Sequence, residues 1–181
     1  MILIQDTRLR QKYHGMSRLT SDITEIVIHA SGGGQSSLDL INWMVSDDCN
    51  RKDFYLKGIG LFPFTVNYDG KIYQLMPVTD WYFHSDCGQH DSHTIGIEMM
   101  NSGAGNTGKF TEAQYIALYE LISELMKAYP NIIEIRSHDA NRKQYSNMDP
   151  KPCPGVNFNW SGLEQYVTDN ITDRTITITR G

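Results

Sequence analysis

The chain has 181 residues and a net charge of −5; 40% of its residues are hydrophobic, 20% charged and 10% aromatic. That length suits one domain whose core needs no disulfide staples, and the composition excludes disordered and fibrous classes. The acidic balance speaks against a nucleic-acid partner, no run approaches the ~20 apolar residues of a membrane span, and the opening Met1-Ile2-Leu3-Ile4 turns polar too soon for a signal peptide.

In chain order, a mostly polar lead-in (17–22) precedes Ile26-Val27-Ile28, read as a buried strand ending at His29 and feeding Gly32-Gly33-Gly34. Ser36, Ser37 and Asp39 mark a helix start, and Leu38, Ile41, Met44 and Val45 set an apolar stripe at helical spacing. The apolar stretch 61–66 and a return strand over 71–75 flank Asn67-Tyr68-Asp69-Gly70, whose Asp-Gly signals a tight hairpin. Another strand is predicted over 94–100, followed by a glycine-rich loop. The clearest helix covers 111–129: Thr111 and Gln114 form a capping-box pattern, Ile116, Tyr119, Ile122, Leu125 and Met126 recur at three- and four-residue steps, and Pro130 stops the run. A strand ending at His138 follows, then a long loop to Gly155, a short helix over about 161–167, and the alternating Thr175–Thr179 segment, an edge-strand pattern. Interleaved strands and helices predict a single α/β domain with a central mixed sheet flanked by helices.

Three residues far apart in the chain stand where metal ligands would be wanted. His29 and His138 each end a predicted strand, at the rim of a sheet. Cys153 sits in a loop stiffened by Pro150, Pro152 and Pro154. Two imidazoles and a thiolate are the three protein ligands of a catalytic zinc whose fourth position is left to water. Taken singly, each histidine fits a hydrogen-bonded structural role as well, and Cys153 fits a small buried hydrophobe. In Ile95-Gly96-Ile97-Glu98 the isoleucines share one strand face, and Gly96 and Glu98 the other. Lys151 reads by itself as a solvated loop lysine, and His14, His90 and His93 as surface or loop residues. Cys49, Cys87 and Cys153 show no disulfide spacing, so Cys49 and Cys87 are read as free thiols, with a bridge between them as the alternative.

The chain resembles the zinc-dependent N-acetylmuramoyl-L-alanine amidases, a family that takes in phage endolysins, cell-wall recycling amidases and animal peptidoglycan recognition proteins. The resemblance rests on Ile26-Val27-Ile28-His29, the hairpin Asp69 to Gln74, Trp81 to His84, Thr94 to Glu98, Ser137-His138-Asp139 and Asp149 to Gly155. These stretches follow the family's order across residues 23–160. The resemblance implies His29, His138 and Cys153 as Zn2+ ligands, Glu98 as general base, Lys151 as oxyanion stabiliser, and Trp81 and His84 as substrate-side residues. It also implies hydrolysis of the amide joining N-acetylmuramic acid to the L-alanine of the stem peptide. Groove walls are expected from residues 32–37, 81–92 and 139–148, with Arg142 meeting stem-peptide carboxylates. The expected partner is peptidoglycan or a muropeptide, with no nucleic acid or membrane involved, and the expected state is a monomer. Synthesis in the cytoplasm without a signal peptide fits an endolysin acting on the wall or a recycling enzyme that stays inside. One departure stands out: many relatives carry Gly-Tyr-His-Phe where this chain has Leu61-Phe62-Pro63-Phe64, so Phe62 lacks the tyrosine hydroxyl. It keeps open a non-hydrolytic peptidoglycan-binding module, beside a zinc peptidase cutting within the stem peptide.

Overall fold

A computed structural model describes residues 1–149 and 151–181; Pro150, counted above among the prolines of the Cys153 loop, lies outside the described residues. In chain order the elements are β1 (Ile2–Gln5), α1 (Arg8–Lys12), β2 (Met16–Ser17), β3 (Glu25–Ala30), α2 (Ser37–Val45), α3 (Lys52–Tyr55), β4 (Phe64–Val66), β5 (Lys71–Gln74), β6 (Asp80–Trp81), β7 (Thr94–Met99), α4 (Glu112–Ala128), β8 (Glu134–Ser137), α5 (His138–Tyr145), α6 (Trp160–Asn170) and β9 (Thr177–Thr179). Seven strands form one sheet in the order β1-β5-β4-β7-β3-β8-β9. Within this sheet the described strands β4 and β5 pair antiparallel, across the Asp69-Gly70 turn, where Gly70 takes φ +77°, and the other pairings are parallel. β2 and β6 make a separate two-stranded ribbon.

The central strand β3 is buried along its whole length, as a strand covered on both faces must be. Ile26 and Ile28, with Ile95 and Ile97 of β7, pack against Leu118, Leu121, Ile122 and Leu125 of α4 and Leu163 of α6. Each fully buried side chain of this size contributes about 1.5–3 kcal/mol relative to exposure. A second apolar cluster joins Leu9, Tyr13, Ile41, Met44, Tyr55 and Leu61 around α1, α2 and α3. Among the described residues, no helix is long and apolar enough to cross a membrane.

The expected mixed sheet, hairpin and long helix are present, and Thr111 and Gln114 form the expected reciprocal cap. β9 is the expected edge strand, parallel to β8. Four readings change. Residues 139–148 are not a loop: His138–Tyr145 is a helix, capped where the Ser137 hydroxyl accepts from the Ala140 N–H at 2.9 Å. It has no apolar stripe, so periodicity did not reveal it. The last helix begins at Trp160 under an Asn159 cap rather than at Ser161, and runs to Asn170. On α4 the buried face is offset from the expected stripe, leaving Ile116 53% exposed, and Leu38 of α2 is likewise exposed. Residues 2–5, not read as an element, form an edge strand parallel to β5. All three cysteines are free, in line with the free-thiol reading.

Candidate metal centre and its cavity

In an open sheet with parallel strands, ligands collect beyond the carboxyl ends, and here the carboxyl ends of β3, β7 and β8 converge on one group of side chains. His29 is the fifth residue of β3; His138 is the first residue of α5, directly after β8. Their Nδ1 atoms lie 3.1 Å apart. One ligand atom from each of His29, His138 and Cys153 lies within 4.8 Å of the others, and all three side chains are buried. The Ala30 N–H donates to Cys153 Sγ at 3.3 Å. Asn106 braces the Cys153 loop: its Nδ2 donates to the Pro152 carbonyl at 2.9 Å. Gly155 runs so close beneath the Asn106 carbonyl, at φ +107°, that a Cβ would collide with it.

Burial, reinforced by His138, His84 and Lys151, holds His29 well below the ordinary imidazole range, so its ring is neutral. Burial, with Glu98 nearby, pushes the Cys153 thiol up to about 12. Such a thiol ionises when a positive charge sits beside it. Two imidazoles and a sulfur converging on one point are a donor set that zinc accepts. The other ring nitrogen of His138, Nε2, is buried without a hydrogen-bond partner among the described residues; the Asp86 carboxylate lies 3.6 Å away. The residues present therefore fit a divalent cation.

Glu98 of β7 pairs with His29 across the sheet and with Thr65 of β4 on its other side, so the glutamate shares the histidine's face. Burial pushes its carboxyl up to about 8, opposed by the Lys151 ammonium. Glu98, Lys151 and the three donors open into one cavity of about 640 Å³, also lined by Leu40, Trp43, Phe54, Tyr55, Phe62 and Phe83 with Arg51.

Not all the expected substrate-side residues reach this cavity as open surface. The His84 side chain is only 2% exposed. Its Nδ1 lies 2.9 Å from His29 Nε2 and its Nε2 lies 2.7 Å from Thr94 Oγ1, so both nitrogens are engaged inside the protein. Trp81 packs edge-on against Phe83 at 4.9 Å, and from this stretch Phe83, His84 and Asp86 line the cavity. Arg142 is buried on α5 with Nη1 3.3 Å from Asp86, rather than standing free on a groove wall. Of residues 139–148 none lines the cavity; that wall comes instead from α2 and residues 51–62. The sequence reading missed Asp86 and this aromatic wall, for which the clustering of Trp43, Phe54 and Tyr55 around Arg51 was the available signal. His90 lies at the opposite end of β3, bonded to Glu25 at 3.1 Å and stacked on Tyr145.

A sequence model of the N-acetylmuramoyl-L-alanine amidase family matches residues 19–156, most of the chain. The chain belongs to this family and is an amidase. Among solved structures, the amidase fold recurs in N-acetylmuramoyl-L-alanine amidase LysC from Clostridium intestinale, with 20% identity, 93% of this chain and 98% of that one covered, and a TM-score of 0.65. A selenomethionine derivative of AmpD gives 18% identity, 91% and 93% coverage and a TM-score of 0.66. Drosophila peptidoglycan recognition protein SD gives 15% identity, 96% and 99% coverage and a TM-score of 0.61. At these identities the likeness shows a shared amidase-type fold. No curated protein matches the chain in sequence.

Proposed function

We propose that this amidase uses zinc to hydrolyse the bond between N-acetylmuramic acid and the L-alanine of peptidoglycan stem peptides. The observation that carries the reading is the convergence of His29, His138 and Cys153 in one cavity with Glu98 and Lys151, within a chain of this family. When bound by those three residues, zinc supplies an acidified water and Lewis-acid polarisation of a carbonyl. Glu98, beside His29, takes the proton of the attacking water and returns it to the departing amine. Lys151 Nζ stabilises the negative charge that develops on the carbonyl oxygen. No acyl-enzyme is required, so Cys153 serves as a ligand and not as a nucleophile. The aromatic wall from Trp43 to Phe83 suits the flat, apolar faces of sugar rings, and Arg51 a carboxylate.

The test is digestion of purified sacculi and of soluble anhydro-muropeptides. New N-terminal L-alanine, lost on treatment with a chelator, is the expected result. A new N-terminus deeper in the stem peptide would replace the amidase reading by a peptidase one. Phe62, which lines the cavity without a hydroxyl, favours a second reading, a non-hydrolytic peptidoglycan-binding module. Binding to sacculi with no peptide released is the outcome that reading requires. Preference for sacculi places the protein with wall-lytic endolysins, and preference for anhydro-muropeptides with recycling enzymes.

A further inference from the structure

We propose that the tripeptide His84-Ser85-Asp86 is a bracket that fixes the tautomer and orientation of both histidine ligands, with His84 and Asp86 as positioning residues. This rests on the metal-centre reading above. Thr94 Oγ1 has one hydrogen, and it is donated to the Asp91 carbonyl at 3.0 Å, a group that only accepts. At 2.7 Å from that oxygen, His84 Nε2 is therefore the donor. In a neutral ring Nδ1 is then the acceptor. His29 Nε2 lies 2.9 Å from it and must carry the hydrogen. That leaves His29 Nδ1 as a bare lone pair.

The second arm reaches His138. A carboxylate accepts only, so the Asp86 oxygen 3.6 Å from His138 Nε2 favours the hydrogen on that nitrogen and a bare Nδ1 on this ring as well. Arg142, one turn after His138 on α5, holds the same Asp86 oxygen at 3.3 Å. The two bare Nδ1 atoms face each other at 3.1 Å, an arrangement that repels unless a cation shares both. Three features hold the bracket in place. Asp86 is at φ +60°, a left-handed conformation that aspartate tolerates better than most residues. Between the two arms, buried Ser85 points the other way, its hydroxyl donating to the buried Asp91 carboxylate and its N–H donating to the same group at 3.3 Å. Finally, the His84 ring lies on Gly96, where a Cβ would come within 3.0 Å of it.

Outer groups of this kind typically change metal affinity 10–100-fold. Zinc affinity is measured by competition with a chromophoric chelator for the wild type, His84→Ala, His84→Asn and Asp86→Ala. Imidazole 15N–1H correlation spectra are recorded on the zinc-loaded wild type, independently of whether any variant folds. The expected result is Nε2–H tautomers for both His29 and His138, about 10–100-fold weaker zinc binding in the two alanine variants, and substantial recovery in His84→Asn, whose Oδ1 can stand in for Nδ1. An Nδ1–H tautomer on either ligand, or alanine variants that bind zinc as tightly as the wild type, would overturn the bracket while leaving the metal reading standing. No zinc binding by the wild type would overturn both.

Discussion

Glu98 stands beside His29 in a wall where burial raises its carboxyl to about 8 in the metal-free protein. The folded, zinc-free state then holds this proton more tightly than the unfolded chain. Stability contributed by the protonated carboxyl is present below the ordinary value of 4.5 and is lost as pH rises towards about 8. Glu98→Gln, neutral at every pH, is expected to raise the metal-free Tm at pH 8.5 and leave it unchanged at pH 4. A gain of about 2 kcal/mol corresponds to about 4–8 °C for a chain of this size; equal Tm values at pH 8.5 would contradict the burial argument. The same substitution is expected to lower kcat by about 10²–10⁴ while zinc binding, read by metal analysis, persists. Cys153→Ser is expected to separate the roles the other way, with zinc content lost along with hydrolysis. At this scale imidazole and thiolate at predicted strand ends and in a proline-rich loop raised the three residues as candidates, and the family resemblance singled them out as ligands. Arg142 was misread because a cation in a presumed loop looks solvent-facing, whereas on α5 it lies one turn from His138 and turns inward to Asp86.

Elements with strong local signals were legible, and their energetics are correspondingly local. Thr111→Ala removes the cap of α4, whose hydroxyl accepts from the Gln114 N–H at 3.1 Å. It is expected to cost about 1 kcal/mol, or about 2–4 °C in Tm, with zinc affinity untouched. Gly155→Ala should do the reverse. A Cβ there drives into the Asn106 backbone, and Asn106 also braces Pro152, so the Cys153 loop must move. Zinc affinity is expected to fall while far-UV circular dichroism retains the wild-type helix and strand signal; an unchanged affinity would mean that the loop yields without displacing its sulfur. The hairpin, β3, β7 and α4 were read from turn chemistry, apolar runs and capping. By contrast α5 has little to advertise it beyond Ser137, since its inward residues are Ala140, Asn141 and Arg142 rather than an apolar stripe. β1 escaped notice because its pairing partner is Lys71–Gln74, a contact that nothing within residues 2–5 announces.

For the molecule as a whole, the proposed zinc ties β3, α5 and the Cys153 loop to one point. A ligand held at 1,000 times its Kd stabilises the folded state by about 4.1 kcal/mol, so stripping zinc with a chelator is expected to lower Tm by about 8–16 °C, at 2–4 °C per kcal/mol. A Tm indifferent to chelator would count against a metal shared by those segments. The order of strands in the sheet follows no local rule: residues 94–99 come to lie between 64–66 and 25–30, and this alone sets Glu98 beside His29. From sequence alone came the α/β class, the alternation that puts Glu98 and Gly96 on one strand face and the helix caps, because each is written in residues a few positions apart; the three candidate ligands came from short motifs around His29, His138 and Cys153. Tertiary structure alone decided that His84 turns inward to His29, that Asp86 and Arg142 stand behind His138, and that the cavity wall is built from α2 and residues 51–62. Most of those relations join residues tens of positions apart, and only the packed sheet brings them together.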